Sequence, residues 1–190
     1  MLNLPNTLTL SRIVMIPAII AAFYLPSPAA NWVTLIIFML AGITDYLDGY
    51  FARARDQFSA FGRFLDPIAD KLLVTAIILM MVATGRIEGV HVLAAMTILC
   101  REIFISGLRE FLAGVHVGIP VSQLAKWKTT MQFIALGLLL VGDAASAILP
   151  AREIGIIALW LAAALTFYTG YDYWRASVHH MRPNKAGAAE

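Results

Sequence analysis

Apolar residues gather along this chain in six long runs, at about 8–26, 31–52, 67–85, 89–113, 121–142 and 154–176, each bounded by turn or charge signals. A helix needs roughly 20 such residues to cross a bilayer core. The pattern therefore predicts an all-α polytopic membrane protein with six transmembrane helices. The first run stops at Leu25-Pro26-Ser27-Pro28, where two prolines cannot continue a helix. Asn31 stands where an N-cap would open the second run. Gly85, the stretch from Gly114 to Pro120 and the stretch from Gly142 to Pro150 punctuate the later ones. Residues 1–182 thus read as a single six-helix domain and 183–190 as a short polar tail. Met1 to Thr7 has no basic n-region, so the first helix is expected to be retained rather than cleaved. No internal repeat is evident.

Composition agrees. Hydrophobic residues make up 60% of the 190 and charged ones 14%, with a mean hydropathy of +0.77. Soluble domains average about 45–50% apolar and about 25% charged, so a soluble fold, disorder, coiled coil and collagen are excluded together. Cys100 is the only cysteine, which rules out an intrachain disulfide and a cysteine metal cage. His91, His116, His179 and His180 form no ligand spacing. The net charge of +2 points to no nucleic-acid partner.

The placement of charge is more informative. If six helices zigzag, Arg12, Arg53, Arg55, Arg63, Lys71, Arg101, Arg109, Lys126, Lys128, Arg175, Arg182 and Lys185 fall on or lean toward one side. Only Arg86 and Arg152 fall on the other. Positive charge collects on the cytoplasmic side of membranes, so both termini and any charged site are expected to face the cytoplasm, in an inner membrane of bacterial type.

Four acids then stand out: Asp45 and Asp48 at the end of the second run, Asp66 and Asp70 at the start of the third. At about 100° per residue, the first pair is separated by about 60° around its helix and the second by about 40°. Each pair shares a face. A charge in a bilayer is costly unless paired, hydrated or metal-bound. Any one of these aspartates alone reads equally well as a cap or rim charge beside Arg53, Arg55, Arg63 or Lys71. Four at this spacing read as an all-oxygen site for Mg²⁺ or Mn²⁺, and two facing pairs can hold two ions roughly 4 Å apart. Gly49 and Ala52, on the face of the first pair, leave room for a bulky ligand.

The string D-x-x-D-G-x-x-A-R, eight residues, then G-x-x-x-D-x-x-x-D resembles the signature of the CDP-alcohol phosphotransferases. Asp45, Asp48, Gly49, Ala52, Arg53, Gly62, Asp66 and Asp70 occupy its fixed positions. The resemblance implies that an alcohol hydroxyl attacks the β-phosphorus of a CDP-linked lipid and CMP leaves. It implies Asp45, Asp48 and Asp66 as principal metal ligands and Asp70 as the base, also touching a metal. Asp48, Gly49, Ala52, Arg53 and Gly62 would take the CDP-lipid, with Gly49 and Ala52 beside the cytidine and Arg53 on the diphosphate. A homodimer is the family expectation.

Two further segments bear on the acceptor. In the fourth run Arg101, Glu102 and Arg109 form a charged stripe, read as either an interior site or an ion-paired structural network. The fifth run opens with Lys126, Trp127, Lys128 and Thr129, whose cations and hydroxyl at a helix start suit a phosphate. Interfacial anchoring is the alternative for the lysines. With Pro5 to Arg12, these segments resemble the branch of the family that joins CDP-diacylglycerol to sn-glycerol 3-phosphate, over about residues 3–132. That branch usually has glycine at the position of Ala125. Arg101, Arg109, Lys126, Lys128 and Thr129 would then bind the acceptor phosphate. Sibling acceptors, an inositol phosphate or phosphatidylglycerol, are the nearest alternatives, and a cation carrier built on intramembrane carboxylates is the non-enzyme one.

Overall fold

Long runs of Leu, Ile, Ala and Met between Gly and Pro punctuation leave each backbone stretch to satisfy its own hydrogen bonds, which a helix does within one segment. The computed structural model describes residues 4–54, 60–114 and 123–181. Six helices result: α1 (Leu4–Ala22), α2 (Ala29–Ala54), α3 (Ala60–Ala83), α4 (His91–Gly114), α5 (Gln123–Val141) and α6 (Ala151–Met181), with a 3₁₀ turn at Gly142–Ala145. Among the described residues there is no strand. Three helices carry stretches long and apolar enough to cross a membrane: Ala29–Phe51, His91–Gly114 and Ala151–Val178. The apolar part of α1, Asn6–Ala22, is shorter, and α3 carries Asp66, Asp70 and Lys71 in its first half.

Helix α1 packs on both α2 and α3, α6 packs on both α4 and α5, and the α2–α5 seam joins the two groups. Among the described residues α2 and α3 pack on α1 rather than on each other. The apolar core draws on the C-terminal halves of α1, α3 and α5 (Ile19, Ile77, Leu139) and the N-terminal halves of α2, α4 and α6 (Phe38, Ile98, Leu159). The helices therefore alternate in direction, and the core fills one half of the bundle. Ile36, Ile43, Ile103, Phe104, Ile157 and Leu161 are exposed on the outer faces, a surface that lipid covers and water would not.

Two expectations are corrected. The third helix begins at Ala60, not at residue 67. Pro67 lies inside it, and the missing N–H removes one backbone bond without ending the helix. Asn31 does not cap α2; it lies inside that helix and serves α5 instead. Its Nδ2 donates to the Val141 carbonyl at 2.9 Å, and Arg86 Nη1 donates to the Leu140 carbonyl at 2.6 Å. These are orphan acceptors at the end of α5, where Gly142 turns the chain at φ +44°. Arg86→Ala uncovers a half-buried carbonyl and is expected to cost about 1–3 kcal/mol. A thermal midpoint in detergent equal to that of the parent protein would show that the cap is dispensable.

Candidate active site

The half of the bundle away from the apolar core holds the charges. Asn6, Thr9 and Arg12 succeed one another at three-residue spacing on α1 and are all buried, Arg12 completely. That spacing places them along one side of the helix, and it turns them into the angle between α2 and α3.

Arg12 is the centre of the site. Its Nη1 donates to Asp45 at 2.7 Å and also to Asp70, while Nη2 donates to Asp48 and Asp66. Thr9 Oγ1 donates to the same Asp48 oxygen at 3.2 Å. One planar fork thus gathers both acid pairs, a geometry suited to guanidinium and carboxylate. Asp48 is buried with Arg12, whereas the side chains of Asp45, Asp66 and Asp70 remain 47%, 44% and 47% exposed. The cluster consequently has a closed floor and an open side. Lys71, considered as a partner for these acids, instead donates to the Pro67 carbonyl of its own helix at 3.1 Å.

Asp45, Asp48 and Asp66 offer oxygens that lie within 4.8 Å of one another. An all-carboxylate donor set at that separation fits a hard divalent ion such as Mg²⁺ or Mn²⁺. Four carboxylates facing one guanidinium also leave the cluster short of positive charge. Gly49 is half-buried beside Asp48, and Gly62 is half-buried on α3. The side chains of Ala52 and Arg53 lie outside the described residues.

A second charged group joins α4, α5 and α6. Glu102 accepts from Lys128 Nζ and, at 3.3 Å, from Arg101 Nη1. Arg101 Nη2 donates to Thr169 at 3.1 Å. The Arg101 stem lies across Gly170, where a Cβ would stand 2.9 Å from Arg101 Cγ, so α6 needs glycine there for α4 to approach. Lys128 is buried. Arg109, further along α4, is exposed, with its guanidinium 5.2 Å from the centre of the Tyr173 ring. Thr129 is exposed, and the Lys126 side chain lies outside the described residues. Lys128 and Arg101 are thus both held by an internal anion, Glu102.

Arg12 is the residue that sequence reasoning undervalued, since it entered only as one of the positive charges leaning toward one side. Its signal was present: an arginine inside an apolar run, one and two steps of three from Thr9 and Asn6.

Comparison with known proteins identifies the family of the chain. The CDP-alcohol phosphatidyltransferase family model matches residues 2–168. A CDP-diacylglycerol–glycerol-3-phosphate 3-phosphatidyltransferase of Rickettsia bellii is 49% identical over 174 residues, covering 92% of this chain and 94% of the relative. Proteins of the same name from Haemophilus influenzae and Cereibacter sphaeroides are 42% and 35% identical, covering 90% and 96% of this chain and 91% and 99% of their own lengths. With three long apolar helices, an acid cluster split between α2 and α3 and a family match over most of its length, this integral membrane chain belongs to the CDP-alcohol phosphatidyltransferase family.

Proposed function

We propose that the chain transfers the phosphatidyl group of CDP-diacylglycerol to sn-glycerol 3-phosphate, giving phosphatidylglycerol phosphate and CMP, from a six-span bundle whose termini and site face the cytoplasm. The observation that carries this reading is the convergence of Asp45, Asp48, Asp66 and Asp70 on one guanidinium. It assembles from two helices an oxygen-rich cluster open on one side, in a family whose reaction neutralises a diphosphate.

In this reading Asp45, Asp48 and Asp66 would be the principal holders of the divalent ions, with Asp70 also able to touch one. Bound ions would neutralise the diphosphate and ease the departure of CMP. The chain's own residues do the remainder. The open side admits the CDP-lipid from the bilayer, with Gly49 leaving room beside Asp48 and Ala52, Arg53 and Gly62 completing the donor site. Lys128 and Arg101, with Lys126, Thr129 and Arg109, hold the acceptor phosphate by charge-assisted hydrogen bonds. Asp70, half exposed, accepts the proton of the acceptor hydroxyl as its oxygen bonds the β-phosphorus and the bond from that phosphorus to the CMP oxygen breaks.

The acid cluster argues against a cation carrier, whose carboxylates should be spaced along a route through the bilayer. The test is CMP release by the detergent-purified protein with CDP-diacylglycerol and Mg²⁺, offering glycerol 3-phosphate, an inositol phosphate, phosphatidylglycerol and serine separately. Release with glycerol 3-phosphate alone is expected. Release with a different acceptor would overturn the acceptor assignment and leave the donor chemistry standing. No release with any, from folded and metal-loaded protein, would overturn the reaction itself.

A further inference from the structure

Arg12 poses a physical problem. It is completely buried, yet the donor set that engages it, four carboxylates, is the one a divalent ion would use. Arg12 engages one oxygen of each acid, so a metal ion would have to share the carboxylates with it or take those oxygens over. Among the described residues its Nε is buried without a hydrogen-bond partner, so its guanidinium is not fully satisfied by the four acids. Both α2 and α3 pack closely on its helix, and among the described residues they do not pack on each other. The acids of the two helices are therefore drawn together by a cation that α1 delivers into the angle between them.

We propose that Arg12 is a stand-in cation, which closes the four-aspartate cluster when no metal is bound and must give up carboxylate oxygens when Mg²⁺ or Mn²⁺ enters. The inference rests on the reading of these aspartates as the metal site. Without a cation, four acids this close repel one another, and the α2–α3 angle loses the charge that bridges its two acid pairs. The Arg12 contacts offset that repulsion, and the same contacts oppose metal entry. Arg12 is thus a positioning residue that sets how tightly metal binds. Its guanidinium, once released from part of the cluster, still lies at the floor of the open side.

The test uses the full-length protein in detergent, comparing the parent with Arg12→Gln by Mn²⁺ titration calorimetry and by thermal midpoint in EDTA and in saturating Mn²⁺. Losing one positive charge a few ångströms from the ions should tighten Mn²⁺ binding about ten- to hundredfold. In EDTA the variant should melt well below the parent, and Mn²⁺ should remove most of that difference. Arg12→Lys, which keeps the charge and loses the fork, should fall between the two. Guanidinium at millimolar concentration added to Arg12→Ala should weaken Mn²⁺ binding in that variant and leave the parent unchanged.

Unchanged or weaker Mn²⁺ binding in Arg12→Gln, with an equal loss of midpoint in both conditions, would overturn the proposal and make Arg12 a fixed structural partner. Variants that fold in Mn²⁺ and not in EDTA would support it; variants that fold in neither would overturn it, since metal should replace the missing charge. If the parent binds no Mn²⁺ at all, the metal-site reading fails, which differs from a failure of the Arg12 inference alone.

Discussion

Replacing Asp70 with Asn is expected to lower CMP release by about 10²–10⁴-fold, the usual contribution of a positioned general base, while the protein stays folded and still binds Mn²⁺. Asparagine has nearly the same shape and cannot take up the acceptor's proton. The site tolerates the change because Asp45, Asp48 and Asp66 remain as partners of Arg12, and it is those three whose oxygens lie within 4.8 Å of one another. The side chain is 47% exposed, so the loss of one carboxylate leaves no buried charge unpaired. Turnover and calorimetry together discriminate the outcomes. Intact turnover would remove Asp70 from the base role, and parallel loss of turnover and Mn²⁺ binding would make it a metal ligand first.

The second large effect lies in the other charged group. Lys128→Met should raise KM for glycerol 3-phosphate about 10- to 100-fold with kcat nearly unchanged, because a hydrogen bond between charged groups is worth about 1.5–3 kcal/mol and every 1.4 kcal/mol is tenfold. Methionine keeps the apolar stem in its buried place and removes only the ammonium. Glu102 stays paired with Arg101 at 3.3 Å, which limits the structural damage. A rise in KM alone marks a group that binds ground state and transition state alike. If the midpoint of unfolding falls and KM does not move, Lys128, Glu102 and Arg101 form a structural knot, and the phosphate is held elsewhere.

Glu102 bears on both outcomes. It satisfies Lys128 and Arg101 in a low-dielectric setting where either cation alone would be costly. In the proposed acceptor site the same carboxylate would compete with a phosphate for their donors. Arg12 and Glu102 therefore have opposite sign and parallel position: each neutralises a cluster that a substrate or ion of its own sign would otherwise neutralise.

What the sequence determined by itself is whatever depends on short separations. Helix class follows from apolar runs in which each backbone group finds its partner four residues away. The pairing of Asp45 with Asp48, and of Asp66 with Asp70, follows from one turn of helix, and so does the polar side of α1 formed by Asn6, Thr9 and Arg12. Helix ends were less legible. Pro67 signals a first turn and lies inside α3, and Asn31 signals an N-cap and serves the far end of α5; for Asn31 a tertiary partner outweighed a local preference worth about 1 kcal/mol. Only the tertiary structure could decide which charges meet. Arg12 reaches acids 33, 36, 54 and 58 residues away, and Lys128 reaches Glu102 across 26. Contacts over those separations depend on the direction in which α1 enters the angle between α2 and α3 and on the seating of α4 and α5 against α6, which no periodicity within one helix encodes.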